Sequence, residues 1–166
     1  MEAQFSHLYF IIKTIIKSIT VNDTHYYEVN LFWNSSTQGT LSSPTVASTI
    51  EVVTPPEYPK GIKEKWTPDH LFVAAINSCL MSTFLLVADN SKLAFISFES
   101  NAVGKIEKID GKVFVTEIAL KPILVIPQTE DEFKANHVIE MSEIACSIIN
   151  SVKTKIILEP LIMIKK

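Results

Sequence analysis

Two cysteines, Cys79 and Cys146, are the residues of this chain with the greatest chemical reach. A buried free cysteine behaves as a small apolar side chain, whereas an ionised one is a nucleophile and an electron donor. Each therefore has a packing explanation when taken singly, and the company each keeps points further. Cys79 lies in the uncharged stretch "FVAAINSCLMSTFLLVA" at 72–88. At 3.6 residues per turn it shares a helix face with Ile76, Ser82 and Thr83. Cys146, in "SEIACSII", shares its face with Ser142, Glu143 and Asn150. Both thiols sit on the most polar stripe of an otherwise apolar segment, and if the two helices pack together the sulfurs can meet. The four histidines (His7, His25, His70 and His137) and two cysteines form no zinc spacing, and chemistry carried by a thiolate needs no metal or organic cofactor.

The bulk composition narrows the function classes. With 166 residues, 47% apolar residues and 20% charged ones, the chain reads as one globular domain spanning 1–166. A net charge of -3 leaves no electrostatic footprint for nucleic acid. The four glycines form neither G-x-G-x-x-G nor a phosphate-binding loop. All 15 basic residues are lysine, so no mechanism here can use a bidentate guanidinium. "HLYFIIKTIIKSIT" carries two lysines and no cleavage pattern, which sets aside a secretory signal and points to the reducing cytoplasm. The run 71–88 is uncharged and just long enough to span a bilayer. Its centre holds Asn77, Ser78, Ser82 and Thr83, which favours a buried helix over a membrane span.

The elements that must position the thiols are readable. "YFIIKTIIKSITV" and "YYEVNLFW" read as strands around the turn "NDTH", with residues 1–24 either an N-terminal strand extension or a tail. "NSSTQGTLSS" reads as a loop bending at Gly39, followed by the short strand "TIEVV" and a Pro-rich, lysine-bearing loop, "TPPEYPKGIKEKW". Thr67, Pro68 and Asp69 suit the N-cap, first position and dipole end of a helix running to about Asn90. Its apolar residues surround it, so it is expected to be covered on all sides. Residues 94–126 form a long hairpin around Asp110-Gly111. A second helix opens on the capping box Thr129 and Glu132 and carries Cys146 near its end. "KIILEPLIMIK" closes the chain as a strand in which Pro160 marks an edge or bend. The class is α+β, and a dimer sharing the first helix would complete its burial.

In "TPDHLFVAAINSCL", in "SEIACSII", and in the helix, hairpin, helix, strand order around them, the chain resembles the OsmC/Ohr family of osmotically inducible and organic hydroperoxide resistance proteins. "HYYEVNLFWNSSTQGTL" is similar to that family's early strands and glycine turn. The resemblance implies an intertwined homodimer in which antiparallel sheets wrap two long central helices. It also implies that Cys79 attacks an organic hydroperoxide and becomes a sulfenic acid, that Cys146 resolves this to a disulfide, and that a dithiol partner reduces it. A glutamate before the first cysteine and an arginine from the early loop activate the thiol in such proteins. Here Asp69 fills the acidic position, and the arginine has no counterpart. Asp69 stands ten residues before Cys79, about 15 Å along one helix, so it would act across a dimer interface or serve only the helix start. Lys60, Lys63 and Lys65 are candidate replacement cations, although surface lysines are ordinarily just solvated. Ser147 follows the second cysteine where hydroperoxide-active members carry proline. The alternative expectation is a non-catalytic dimer of the same fold that binds an apolar small molecule.

Overall fold

The computed structural model describes residues 24–165, and these fall into two compact units that meet in sequence between Ala74 and Ala75. The strand expected around residues 9–21 lies outside the described residues.

The first unit is built on a three-stranded antiparallel meander: β1 (Asn30–Ser35), β2 (Gln38–Ser43) and β3 (Val46–Val53). The first strand begins at Asn30, later than the alternation from Tyr26 suggests. Gly39 is not a bend. It lies within β2, paired with Trp33 on one side and Val52 on the other, and Ser36, at φ 47°, makes the turn instead. Gly39 instead serves close approach, since an added Cβ would meet the Phe32 carbonyl at 3.0 Å. The Pro-rich segment has no regular structure, as expected, but it is tied down. Thr37 Oγ1 donates to the Lys60 carbonyl at 2.8 Å, and the Val53 amide donates to Trp66 O at 2.9 Å. Gly61 is required there, because a side chain would overlap the Pro55 carbonyl oxygen.

Helix α1 (Pro68–Asn90) leaves this unit and runs into the second. Thr67 is its N-cap, as the sequence indicates. Its Oγ1 accepts from the His70 amide at 3.4 Å, while its own amide donates to His70 Nδ1 at 3.3 Å. This is the reciprocal logic of a capping box with imidazole in the place of glutamate.

In the second unit β4 (Ser97–Ile109) and β5 (Lys112–Ile126) form the long hairpin. Asp110 at φ 48° and Gly111 at φ 81° supply the two left-handed residues that a tight two-residue turn needs. After a 3-10 turn (Thr129–Asp131) come α2 (Glu132–Ala145), α3 (Ser147–Asn150), β6 (Lys155–Leu158) and β7 (Leu161–Ile164). The last two strands both run parallel to β5, divided at Glu159-Pro160 where the sequence places a bend, so this sheet is mixed. Ile118, Leu120, Pro122, Leu124 and Ile126 alternate along β5, and all are buried. Against Leu124 and Ile126 pack Phe84, Val87 and Ala88 of α1 and Ala135, Val138, Ile139 and Met141 of α2. Phe84 stacks on Phe98 with ring centroids 4.5 Å apart.

Two further expectations change at the helices. The Thr129/Glu132 box is not formed, because residues 129–131 turn as a 3-10 segment and Asp131 caps α2 without a side-chain hydrogen bond. Nor is α1 covered on all sides within one chain. Ile76, Leu80, Phe84 and Val87 form a single buried stripe, while Met81, Leu85 and Leu86 are exposed.

Gly111 has no atom within 4 Å of where a Cβ would stand, so a substitution there meets only the backbone penalty of its positive φ. Gly111→Ala should therefore lower the unfolding free energy by about 1 kcal/mol in a urea titration, with no change in thiol content.

Candidate functional site: a cysteine pair between two helices

The shared core fixes where the two cysteines lie. Cys79 precedes Leu80 of the buried α1 stripe and is itself half-buried. Two residues earlier, Asn77 braces the helix to the sheet. Its Nδ2 donates to the Ser100 carbonyl at 3.2 Å, and Ser100 Oγ donates back to Asn77 Oδ1 at 2.6 Å.

Cys146 is fully buried. Contrary to the sequence reading, it is not inside a helix. Residue 146 has φ -70° and ψ 113°, an extended conformation that ends α2 and starts α3. Its amide still donates to Glu143 O at 3.1 Å, and its carbonyl accepts from the Asn150 amide at 3.0 Å. Asn150 Nδ2 reaches back over the interruption to the Ile144 carbonyl at 2.9 Å. On the approach to the break, the buried Ser142 hydroxyl donates to Val138 O, a back-bond that commonly bends helices.

Cys79 and Cys146 are joined as a disulfide, with Cα atoms 6.1 Å apart and a sequence separation of 67. That Cα separation is ordinary for a disulfide, so the fold presents both residues at bridging distance. Such a pair can cycle between dithiol and disulfide, giving up or taking two electrons with no metal. Among the described residues, no group of three or more His, Cys, Asp or Glu is placed to hold a metal ion.

The charged residues named from the sequence are placed differently. Asp69 sits in the first turn of α1, in the first unit, and its carboxylate has no hydrogen-bond or ion-pair partner among the described residues. Its position fits the positive end of the helix dipole. Lys60, Lys63 and Lys65 belong to the same unit, and Lys65 is engaged by Glu51 at 2.6 Å. Glu143, one turn before Cys146, is the acid within the cysteine segment. Burial, and then the neighbouring Glu140 charge, push its carboxyl above the ordinary value of 4.5.

The OsmC-like protein family is matched over residues 61–160, well over half of the chain. The chain belongs to this family. Its fold is also that of solved OsmC-like proteins. One from Vibrio cholerae, described as of unknown function, is 25% identical with a TM-score of 0.75, covering 83% of this chain and 100% of that one. An OsmC-like protein from Mycoplasma pneumoniae is 20% identical with a TM-score of 0.69, covering 85% and 99%. An organic hydroperoxide resistance protein from Elizabethkingia anophelis is 21% identical with a TM-score of 0.62, covering 86% and 100%. No curated protein matches the chain in sequence. The OsmC-like fold therefore accounts for the order of elements.

Three side chains were not given their roles by the sequence. His70 completes the α1 cap, Asn77 anchors α1 to Ser100, and Asn150 spans the break at Cys146. Only Asn150 carried a signal, since helical spacing puts it on the Cys146 stripe.

Because the folded chain holds the Glu143 proton more tightly than the unfolded chain does, the protonated form favours folding. That contribution is lost as pH rises above 4.5. Glu143→Gln should accordingly melt higher than the parent at pH 7, and the gap should close well below pH 4.5. A gap of the same size at both pH values would assign the effect to packing instead.

Proposed function

We propose that this OsmC-like protein is a thiol-dependent peroxidase that reduces organic hydroperoxides. The observation that carries this reading is the Cys79–Cys146 pair, joined across a sequence separation of 67. Solved structures of the same fold include organic hydroperoxide resistance proteins, from Elizabethkingia anophelis among others, which supports the assignment. The Cys79 thiolate attacks the terminal peroxide oxygen. The O–O bond breaks, the alcohol leaves after taking a proton, and Cys79 becomes a sulfenic acid. The Cys146 thiol then displaces water from the sulfenic acid to form the disulfide. An external dithiol returns two electrons and two protons, becoming a disulfide itself.

Activation of Cys79 is the weak link in this chain. It contains no arginine, and burial disfavours a thiolate that has no fixed cation. Asp69, or a loop lysine, would have to assist from another surface. That deficit is the specific ground for a second reading, a non-catalytic dimer that binds an apolar small molecule with both cysteines as lining.

Either reading includes a homodimer. Met81, Leu85 and Leu86 leave α1 at 42%, 46% and 38% exposure, and Leu31, Phe32 and Trp33 are exposed on β1. A face this apolar on the longest helix supports a second copy as its cover. It also supports reading that helix as a family core element, although its length and composition alone would allow it to cross a membrane. The family match crosses the division between Ala74 and Ala75, which supports treating 1–166 as a single OsmC-like domain. A cytoplasmic location fits a cysteine pair that must be reduced after each turnover, and no nucleic acid or membrane partner is proposed.

Reduced protein given one equivalent of an organic hydroperoxide should lose both thiols and two hydrogens of mass. Cys79→Ser should abolish this, and Cys146→Ser should stop at a sulfenic acid that dimedone captures. If both thiols persist in the parent, the peroxidase reading fails. A ligand carried through native mass spectrometry would then favour the binding dimer.

Sedimentation should give twice the 18.6 kDa chain mass. Leu85→Glu should shift the equilibrium toward monomer by placing a charge on the buried face of the dimer.

A further inference from the structure

The interruption at Cys146 has no proline or glycine behind it, and the Ser142 back-bond to Val138 O, which can bend a helix, comes a turn earlier, with the helix running on to Ala145. Sharp helix breaks are usually traced to proline, glycine, a π-bulge or an inserted group. Residues 145–147 are Ala145, Cys146 and Ser147, none of which forces a break. Alanine is the best helix former, and serine after the cysteine leaves a backbone N–H that could continue the spiral. Yet residue 146 alone is extended, with helix on both sides. The last carbonyls of α2 are the groups that such a break orphans. In an unbroken helix the Ile144 carbonyl would accept the Ile148 amide, and here it accepts the Asn150 side-chain amide at 2.9 Å. Asn150 also donates its backbone amide to the Cys146 carbonyl at 3.0 Å, so one residue holds both sides of the break.

We propose that Asn150 is a positioning residue for the second cysteine. By bonding the Ile144 carbonyl it keeps the chain extended at Cys146, and so keeps the sulfur turned toward Cys79 before the disulfide exists. Asn150 acts through the backbone, at the Ile144 and Cys146 carbonyls. The inference rests on the reading of Cys146 as the resolving thiol. Without Asn150, residues 144–148 close into continuous helix in the reduced protein, and Cys146 must leave that helix each time it attacks the sulfenic acid. No new reactant enters: the step is the displacement of water already written, with a higher cost of alignment.

The test separates the two chemical steps. Reduced protein is mixed with one equivalent of an organic hydroperoxide in the presence of dimedone and quenched over time. Intact mass then reports the loss of the Cys79 thiol, the dimedone adduct and the disulfide. Asn150→Ala removes the amide, and Asn150→Asp keeps the shape but replaces the donor with oxygens. Both substitutions are at an exposed residue, and far-UV circular dichroism checks the fold.

The expected result is unchanged loss of the Cys79 thiol, with disulfide formation slower by about fivefold in both variants, so that adduct accumulates at the expense of disulfide. That factor corresponds to about 1 kcal/mol, the usual net worth of one hydrogen bond. Disulfide formation at the parent rate in both variants would overturn the role of Asn150 and leave the peroxidase reading intact. Equal slowing of both steps would also overturn it, by showing a general loosening of the site. An inert Cys79 in the parent would instead remove the peroxidase reading, and this inference with it.

Discussion

Everything at the cysteine pair depends on one packing constraint. The buried face of β5 is a row of alternate residues, and the apolar stripes of α1 and α2 both settle near its far end, around Leu124 and Ile126. A strand's side chains alternate strictly, so that face has one register, and a slip by one residue would turn every core group outward. With α1 fixed by Phe84 and Val87, and α2 by Val138, Ile139 and Met141, Cys79 and the residue after Ala145 have little freedom in where they lie. The disulfide is the outcome of that arrangement, and each half of it comes from a different helix.

The same burial sets the electrostatic problem. Placing Cys146 out of water and Cys79 half out of it brings the sulfurs together, but it also disfavours their ionised form. Glu143 illustrates the environment: with burial and Glu140 acting on it, its carboxyl holds a proton more tightly than usual. A chain whose cations are all lysine has no planar fork with which to orient a thiolate and a peroxide together. Proximity of the sulfurs is therefore well provided for, whereas the chain has no guanidinium to stabilise either one as a thiolate. Any cation that assists it would come from a mobile point charge, which stabilises an anion without orienting its reaction partner.

How far the sequence disclosed this differs from residue to residue. The pairing of chemistry with position was legible because Cys79 and Cys146 each interrupt an apolar segment on its polar side. The α1 start was legible because Thr67, Pro68 and Asp69 satisfy three separate requirements of a helix N-terminus. The hairpin turn was legible because only a residue like Gly111 tolerates φ 81°. What escaped depended on long-range partners. Gly39 looks like a bend, yet two flanking strands hold it extended, and a glycine in a strand often marks just such close approach. Thr129 and Glu132 match a capping box by type, but the local turn tightened to 3-10 geometry before the helix began. The break at Cys146 left no mark in composition, because the groups that sustain it are one covalent bond and one side-chain amide, both formed only in the folded chain.

The exposed side of α1 completes the argument. A helix that is apolar all round must be buried all round, yet within one chain only the stripe of Ile76, Leu80, Phe84, Val87 and Ala88 is buried. Met81, Leu85 and Leu86 lie on the same turns as Ser82 and Thr83, the hydroxyl residues on the Cys79 face. A second copy laid over this surface would therefore do two things at once. It would remove apolar area from water, and it would close the solvent side of the segment that carries Cys79. Exclusion of water strengthens whatever charge lies within reach of that sulfur. A chain without arginine gains more from such closure than one with a guanidinium already in place. On this view association and thiol chemistry are coupled through α1, and a protomer standing alone would hold the same pair of sulfurs in a wetter and less reactive setting.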